Sequence, residues 1–94
     1  MKVTFDDDCL RKHGVTQEEV LEVFESDFNF CEEMSSSDRG NDRILVIGWT
    51  YSGKVLEIGV EYFLDEDREH VFHAMNAGRK LKHDFFRRLR SDSE

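Results

Sequence analysis

The sequence predicts an α+β fold, from its length and from two patterns along the chain. Apolar side chains recur at helical spacing near both ends of the chain, whereas β-branched residues and two-residue alternation dominate its middle. A chain of 94 residues is read as one domain, 1–94. We therefore expect two amino-terminal helices, an antiparallel sheet of three or four strands, and a basic carboxyl-terminal helix packed on the sheet, with a frayed tail from about residue 91.

Start and stop signals predict the two amino-terminal helices. Residues 6–8 are all Asp, which suits a helix start, and Gly14 follows three basic residues, which suits a helix end. In the second helix Thr16 and Glu19 have the spacing of a capping box, in which each side chain accepts from the other residue's amide. Apolar residues then follow at helical spacing: Val20, Leu21, Phe24 and Phe28.

The middle of the chain predicts strands separated by one long loop. Residues 35–42 are rich in Ser, Asp, Asn and Gly and predict that loop. The expected strands begin near Phe28 and continue at 43–50, 54–63 and 70–75, with a turn at 51–53. Alternation places Glu57 and Glu61 on the face opposite the apolar side chains, and the spacing of His70 and His73 predicts opposite faces for those two residues.

A basic amphipathic helix is predicted at the carboxyl end. Asn76 suits its amino-terminal cap. Leu81, Phe85 and Leu89 recur every four residues and are expected to pack on the sheet. A different face carries Arg79, His83, Arg87 and Arg90.

Charge is unevenly distributed along the chain. The net charge is −8, but residues 1–67 carry −11 and residues 68–94 carry +3. Most of the basic excess lies between Arg79 and Arg90. This asymmetry is compatible with a surface that faces a polyanion, with an ordinary solvated helix face, or with a basic face that docks on the acidic half of the same molecule.

Several functional classes are disfavoured by the motifs that the sequence lacks. No glycine loop, nucleophile elbow or dinucleotide fingerprint is present, and no His, Cys or carboxylate spacing indicates a metal, so we expect no cofactor. Cys9 and Cys31 are expected to be reduced. No apolar run suggests a membrane span or a signal peptide, so we expect a cytoplasmic protein that does not contact membranes.

Metal-free RNA cleavage remains compatible with the residues present. In that reaction the substrate's own 2′-hydroxyl attacks the phosphate, so the protein supplies a base, an acid and cations. Lys12, His13, His73 and the basic segment 79–90 are candidates for these roles. Each has a structural alternative: Lys12 and His13 can serve the dipole of a helix end, and a strand histidine can simply be half buried.

A family resemblance rests on the segment Lys12-His13-Gly14-Val15, followed by Glu18-Glu19-Val20 at a helix start. This segment resembles the opening of BrnT-type toxins. The hairpin at 43–56 and the residues at 70–80 resemble that family's central hairpin, last strand and basic helix, so that the resemblance spans most of residues 5–86.

The resemblance implies a RelE-like ribonuclease fold and the toxin half of a type II toxin-antitoxin pair, neutralised by a co-expressed DNA-binding antitoxin. It implies metal-independent RNA cleavage that inhibits translation, with RNA and the antitoxin as partners and a homo-oligomer or heterocomplex as the assembly. From the resemblance and the residue types together, we expect the catalytic residues to be Lys12, His13, Arg43, His73 and Arg79. The expected RNA-binding residues are Lys80, Lys82, His83, Arg87 and Arg90.

The chain departs from the family pattern at several positions. Met75 stands where an arginine is common, Leu81 where a glutamate is common, and Trp49 where an arginine is often found. The usual Trp-Asp opening is reduced to Phe5-Asp6. An alternative function is therefore a catalytically silent BrnT-like module that acts by binding a protein partner.

Overall fold

A computed structural model describes residues 1–92 and confirms the α+β class. Within these residues the chain forms five strands and three α-helices. The strands are β1 (Lys2–Phe5), β2 (Asn29–Met34), β3 (Arg43–Trp49), β4 (Val55–Phe63) and β5 (Arg68–Asn76). The helices are α1 (Asp7–His13), α2 (Gln17–Glu25) and α3 (Arg79–Asp92), with a 3₁₀ turn at Leu64–Glu66.

The strands form a single mixed sheet in the order β1-β5-β4-β3-β2. The prediction of three or four antiparallel strands is wrong in two respects: the sheet has five strands, and β1 pairs parallel to β5. Strand β1 is not predicted from the sequence because its four residues give too short a pattern for alternation to be read. The strand forms because β5 offers an unpaired edge, where Thr4 lies opposite His70.

The two amino-terminal helices form as predicted, and their caps are those indicated by the sequence. The Asp6 side chain accepts from the Cys9 amide at 3.1 Å, and Gly14 ends α1 in the left-handed region at φ 67°. Thr16 and Glu19 make both hydrogen bonds of the capping box. However, α2 ends at Glu25, so Phe28 lies outside it.

The sheet has a hydrophobic core on each face. Leu10 of α1 and the α2 residues Val20 and Val23 pack on one face, against residues that include Ile58 and Val71. Helix α3 covers part of the other face, where Phe85 is fully buried. Leu81 and Leu89 pack in the same cluster as Phe85, as predicted.

The start and end of α3 differ from the sequence prediction. Asn76 is the last residue of β5 and not a helix cap. The first turn is closed instead by a hydrogen bond from the Lys82 amide to the Gly78 carbonyl. Helix α3 continues to Asp92, and the rest of the predicted frayed tail lies outside the described residues.

The predicted 35–42 loop folds over the α3 side of the sheet at Glu61. This carboxylate is 4% exposed and accepts hydrogen bonds from Arg39 and Asn41, both at 3.0 Å. Burial would raise the pKa of Glu61, but hydrogen bonds from Asn41, Ser37 and Arg39, with the charge of Arg39, lower that pKa to about 2. The loop is therefore held in place by a charged side chain of the sheet.

None of the helices formed by residues 1–92 has both the length and the apolar character needed to cross a bilayer.

Candidate active site

Two predicted catalytic histidines come together although they lie 60 residues apart in the chain. His13 is the last residue of α1, and His73 lies in the part of β5 that extends beyond β1. Their ring centroids are 6.3 Å apart, in an edge-to-face arrangement. Helix α1 packs against β5 beyond the end of β1, and this packing places His13 beside His73.

A β-bulge orients His73. Val71 lies opposite Val60 and His73 lies opposite Gly59, so that Phe72 is an extra residue in β5. Because of this extra residue, His70 and His73 project to the same face, since their partners Glu61 and Gly59 are two residues apart. The sequence prediction that the two histidines lie on opposite faces is therefore wrong.

Glu57 completes the arrangement around His73. One carboxylate oxygen lies 3.1 Å from His73 Nε2, and the other accepts from the Gly78 amide, also at 3.1 Å. Both His73 and Glu57 are partly buried. Glu57 thus joins the histidine to the first turn of α3, and with a proton on Nε2 it leaves Nδ1 of His73 as the basic nitrogen.

Glu57 is not among the site residues predicted from the sequence. The only signal was its position as a carboxylate in a strand with apolar residues on either side. Alternation indicated its face, but the bulge that brings His73 to the same face could not be read from β5 alone.

Arg43 lies farther along the same sheet face. Its guanidinium donates to the carbonyl and hydroxyl oxygens of Ser35 and lies 5.5 Å from the centre of the Phe72 ring. Phe72 immediately precedes His73, but no hydrogen bond, ion pair or ring contact within residues 1–92 joins Arg43 to either histidine of the pair. Its hydrogen bonds to Ser35 also give it a structural role.

The remaining predicted cations differ in their availability. Lys12 is exposed beside His13. Five side chains of α3 are exposed and have no hydrogen-bond or ion-pair partner among residues 1–92: Arg79, Lys80, Lys82, His83 and Arg90. Arg87 is paired with Asp84 at 3.3 Å. The first turn of α3 adjoins Glu57, whereas Arg87 and Arg90 lie roughly 12 to 16 Å farther along the helix axis.

The departures from the family pattern have structural explanations at two positions. Trp49 packs edge to face on Phe85 with ring centroids 5.4 Å apart, and Leu81 belongs to the same core. Met75 lies opposite Glu57 in the sheet register and therefore on the face that carries His73. No cation stands at this register position.

The described residues contain no group of three His, Cys, Asp or Glu side chains placed to hold a metal ion. The chemistry that His13, His73 and Glu57 can perform is proton transfer, with nearby lysine and arginine side chains available to an anion.

No family model matches the chain, and a search of curated proteins finds no relative.

Proposed function

We propose that the protein is a metal-independent endoribonuclease, the toxin component of a type II toxin-antitoxin pair acting in the cytoplasm. The observation that carries this proposal is the His13 and His73 pair, with His73 hydrogen-bonded to Glu57 beside the exposed cations at the start of α3. The resemblance of residues 12–15 to BrnT-type toxins supports it.

In the proposed reaction one histidine removes the proton of a ribose 2′-hydroxyl, and the 2′-oxygen attacks the adjacent phosphorus. The bond from phosphorus to the 5′-oxygen breaks, and the second histidine returns a proton to that leaving oxygen. The products are a 2′,3′-cyclic phosphate and a 5′-hydroxyl. Lys12 and Arg79 stabilise the negative charge that develops on the phosphate oxygens.

Purified protein incubated with RNA in the presence of EDTA tests the reaction. We expect cleavage that ends in a cyclic phosphate and is absent with RNA that is 2′-O-methylated throughout. His73→Ala and His13→Ala are each expected to reduce the rate by about 10² to 10⁴, the usual contribution of a general acid or base. His70→Gln is the matched control, since the His70 ring bonds Thr4 and lies outside the pair.

Absence of cleavage by folded protein would refute the ribonuclease assignment. Equal activity of the wild type and both alanine variants would refute the assignment of the histidines.

Met75 supports a second candidate, a catalytically silent module that binds a protein partner. Met75 lies on the face that carries His73, at a position where BrnT-type toxins commonly have an arginine, so this chain presents no cation there. Expression of the chain alone, and together with a neighbouring gene for a small DNA-binding protein, tests both candidates. A stable complex on co-expression, with neither RNA cleavage nor growth arrest when the chain is expressed alone, favours the silent module. Growth arrest by the chain alone that the partner relieves favours the toxin.

A further inference from the structure

A cavity of about 500 Å³ lies between the end of α2 and the turn that joins β3 to β4. Trp49 and Tyr51 contribute aromatic rings to its lining, and Glu25 and Asp27 contribute carboxylates. Its volume is within the range of ligand pockets. None of these four residues belongs to the candidate active site.

The charges around this cavity are not neutralised by the rest of the described chain. Glu22, Glu25 and Asp27 have no basic partner among residues 1–92, and the last turn of α2 contains no basic residue. Carboxylates at that position interact unfavourably with the negative end of the helix dipole. Helix α1 follows the favourable arrangement, with acidic residues first and basic residues last.

The cavity wall is fixed before any ligand arrives. The Tyr51 amide donates to Glu22 at 3.0 Å, and the Tyr51 hydroxyl donates to Glu25 at 3.2 Å. The Tyr51 side chain nevertheless remains largely open, since the residue is 74% exposed. Trp49 is held from the other side by its contact with Phe85. Tyr51, Trp49 and the Glu25 carboxylate are therefore held in place around one space, which Asp27 also lines.

We propose that this cavity binds an arginine side chain presented by a basic segment of a protein partner. A guanidinium stacks on aromatic faces and donates paired hydrogen bonds to carboxylates, and this cavity offers both kinds of group. The acidic residues continue from Glu25 along α2 to Glu22 and Glu18. A segment with several basic residues would therefore meet further carboxylates outside the cavity, which a single small cation would not.

Trp49 provides the test, because it is the only tryptophan of the chain. A hexa-arginine peptide without aromatic residues is titrated into the full-length protein while tryptophan fluorescence is recorded. We expect a saturable change, with hexalysine binding at least fivefold more weakly.

The variant E25Q/D27N is compared with E32Q/E33Q, which removes two charges from the edge strand β2. Both variants lower the net negative charge equally, and circular dichroism confirms that each is folded. We expect E25Q/D27N to weaken hexa-arginine binding at least tenfold and E32Q/E33Q to change it less than twofold.

Equal weakening by the two variants would overturn the proposal, because it would show attraction to net charge alone. Spermine binding at the cavity as tightly as hexa-arginine would also overturn it, in favour of a small polyamine ligand. The variants leave the histidine pair intact, so this result does not depend on ribonuclease activity.

Discussion

Replacement of Glu61 by Gln is expected to destabilise the protein in a manner that depends on pH. The carboxylate is buried under the 35–42 loop and holds Arg39 and Asn41. Glutamine keeps one acceptor oxygen but loses the negative charge, and it places its own NH₂ group beside the donors of Arg39 and Asn41. The loop also supplies the Ser35 oxygens that hold Arg43, so the same change is expected to loosen Arg43.

The size of this effect follows from the pKa of Glu61, which falls from its usual 4.5 to about 2 in the folded chain. Such a difference corresponds to at most about 3 kcal/mol of unfolding free energy. Because the Arg39 side chain is 65% exposed, solvent screens the pair. We therefore expect a loss of about 1 to 2 kcal/mol at pH 7.

The sign of the pH dependence follows from the lowered pKa. Protonation of Glu61 is harder in the folded chain than in the unfolded chain, so its stabilisation is complete above pH 4.5 and is lost as the pH falls toward 2. The difference in unfolding free energy between wild type and E61Q should therefore shrink across this interval.

Urea unfolding at pH 7, 4.5 and 2.5, followed by far-ultraviolet circular dichroism, measures this difference. E33Q, the same substitution at an exposed glutamate of β2, should shift the unfolding free energy by less than about 0.5 kcal/mol. An E61Q defect of the same size at pH 2.5 and pH 7 would refute the assignment of the stabilisation to the ionised carboxylate.

Three further changes test other parts of the structure. Thr16→Ala removes the side-chain cap of α2 and should lower the unfolding free energy by about 1 kcal/mol in thermal or urea unfolding. Thr16→Ser keeps the hydroxyl and should retain most of the wild-type stability. Equal stability of the Ala and Ser variants would show that the hydroxyl does not cap the helix. Gly48→Ala would place a Cβ 2.8 Å from Val23 Cγ1 and should cost about 1 to 3 kcal/mol in the same assay, and unchanged stability would show that α2 does not approach β3 this closely. Glu57→Gln should change the tautomer of His73 in ¹⁵N NMR spectra, because a glutamine can donate to Nε2 as well as accept from it; an unchanged spectrum would contradict the hydrogen bond.

The sequence could predict those parts of the fold whose causes lie within a few residues. The Thr16 and Glu19 capping box and the Gly14 helix end depend on local hydrogen bonds and backbone angles. The burial of Phe85 on the sheet depends on a four-residue apolar repeat. Each of these patterns lies within a short segment of the chain, so it can be read without the tertiary structure.

The candidate site could be predicted only as separate residues. The chemistry of His13 and His73 makes them candidates, but their ring-centroid distance of 6.3 Å depends on how α1 packs against β5. Glu57 entered the site only through its hydrogen bonds to His73 and Gly78. Charge counts along the chain showed an acidic and a basic half but could not locate the cavity beside Trp49.

By itself the sequence determined the α+β class, the presence and approximate positions of the helices, the central hairpin and the basic face of the last helix, because short-range periodicity and capping dictate these features. Only the tertiary structure decided that β1 joins the sheet parallel to β5, that the bulge at Phe72 turns His73 toward Glu57, and that His13 meets this pair. These features arise from pairing between distant segments, in which one inserted residue changes the face of every side chain that follows.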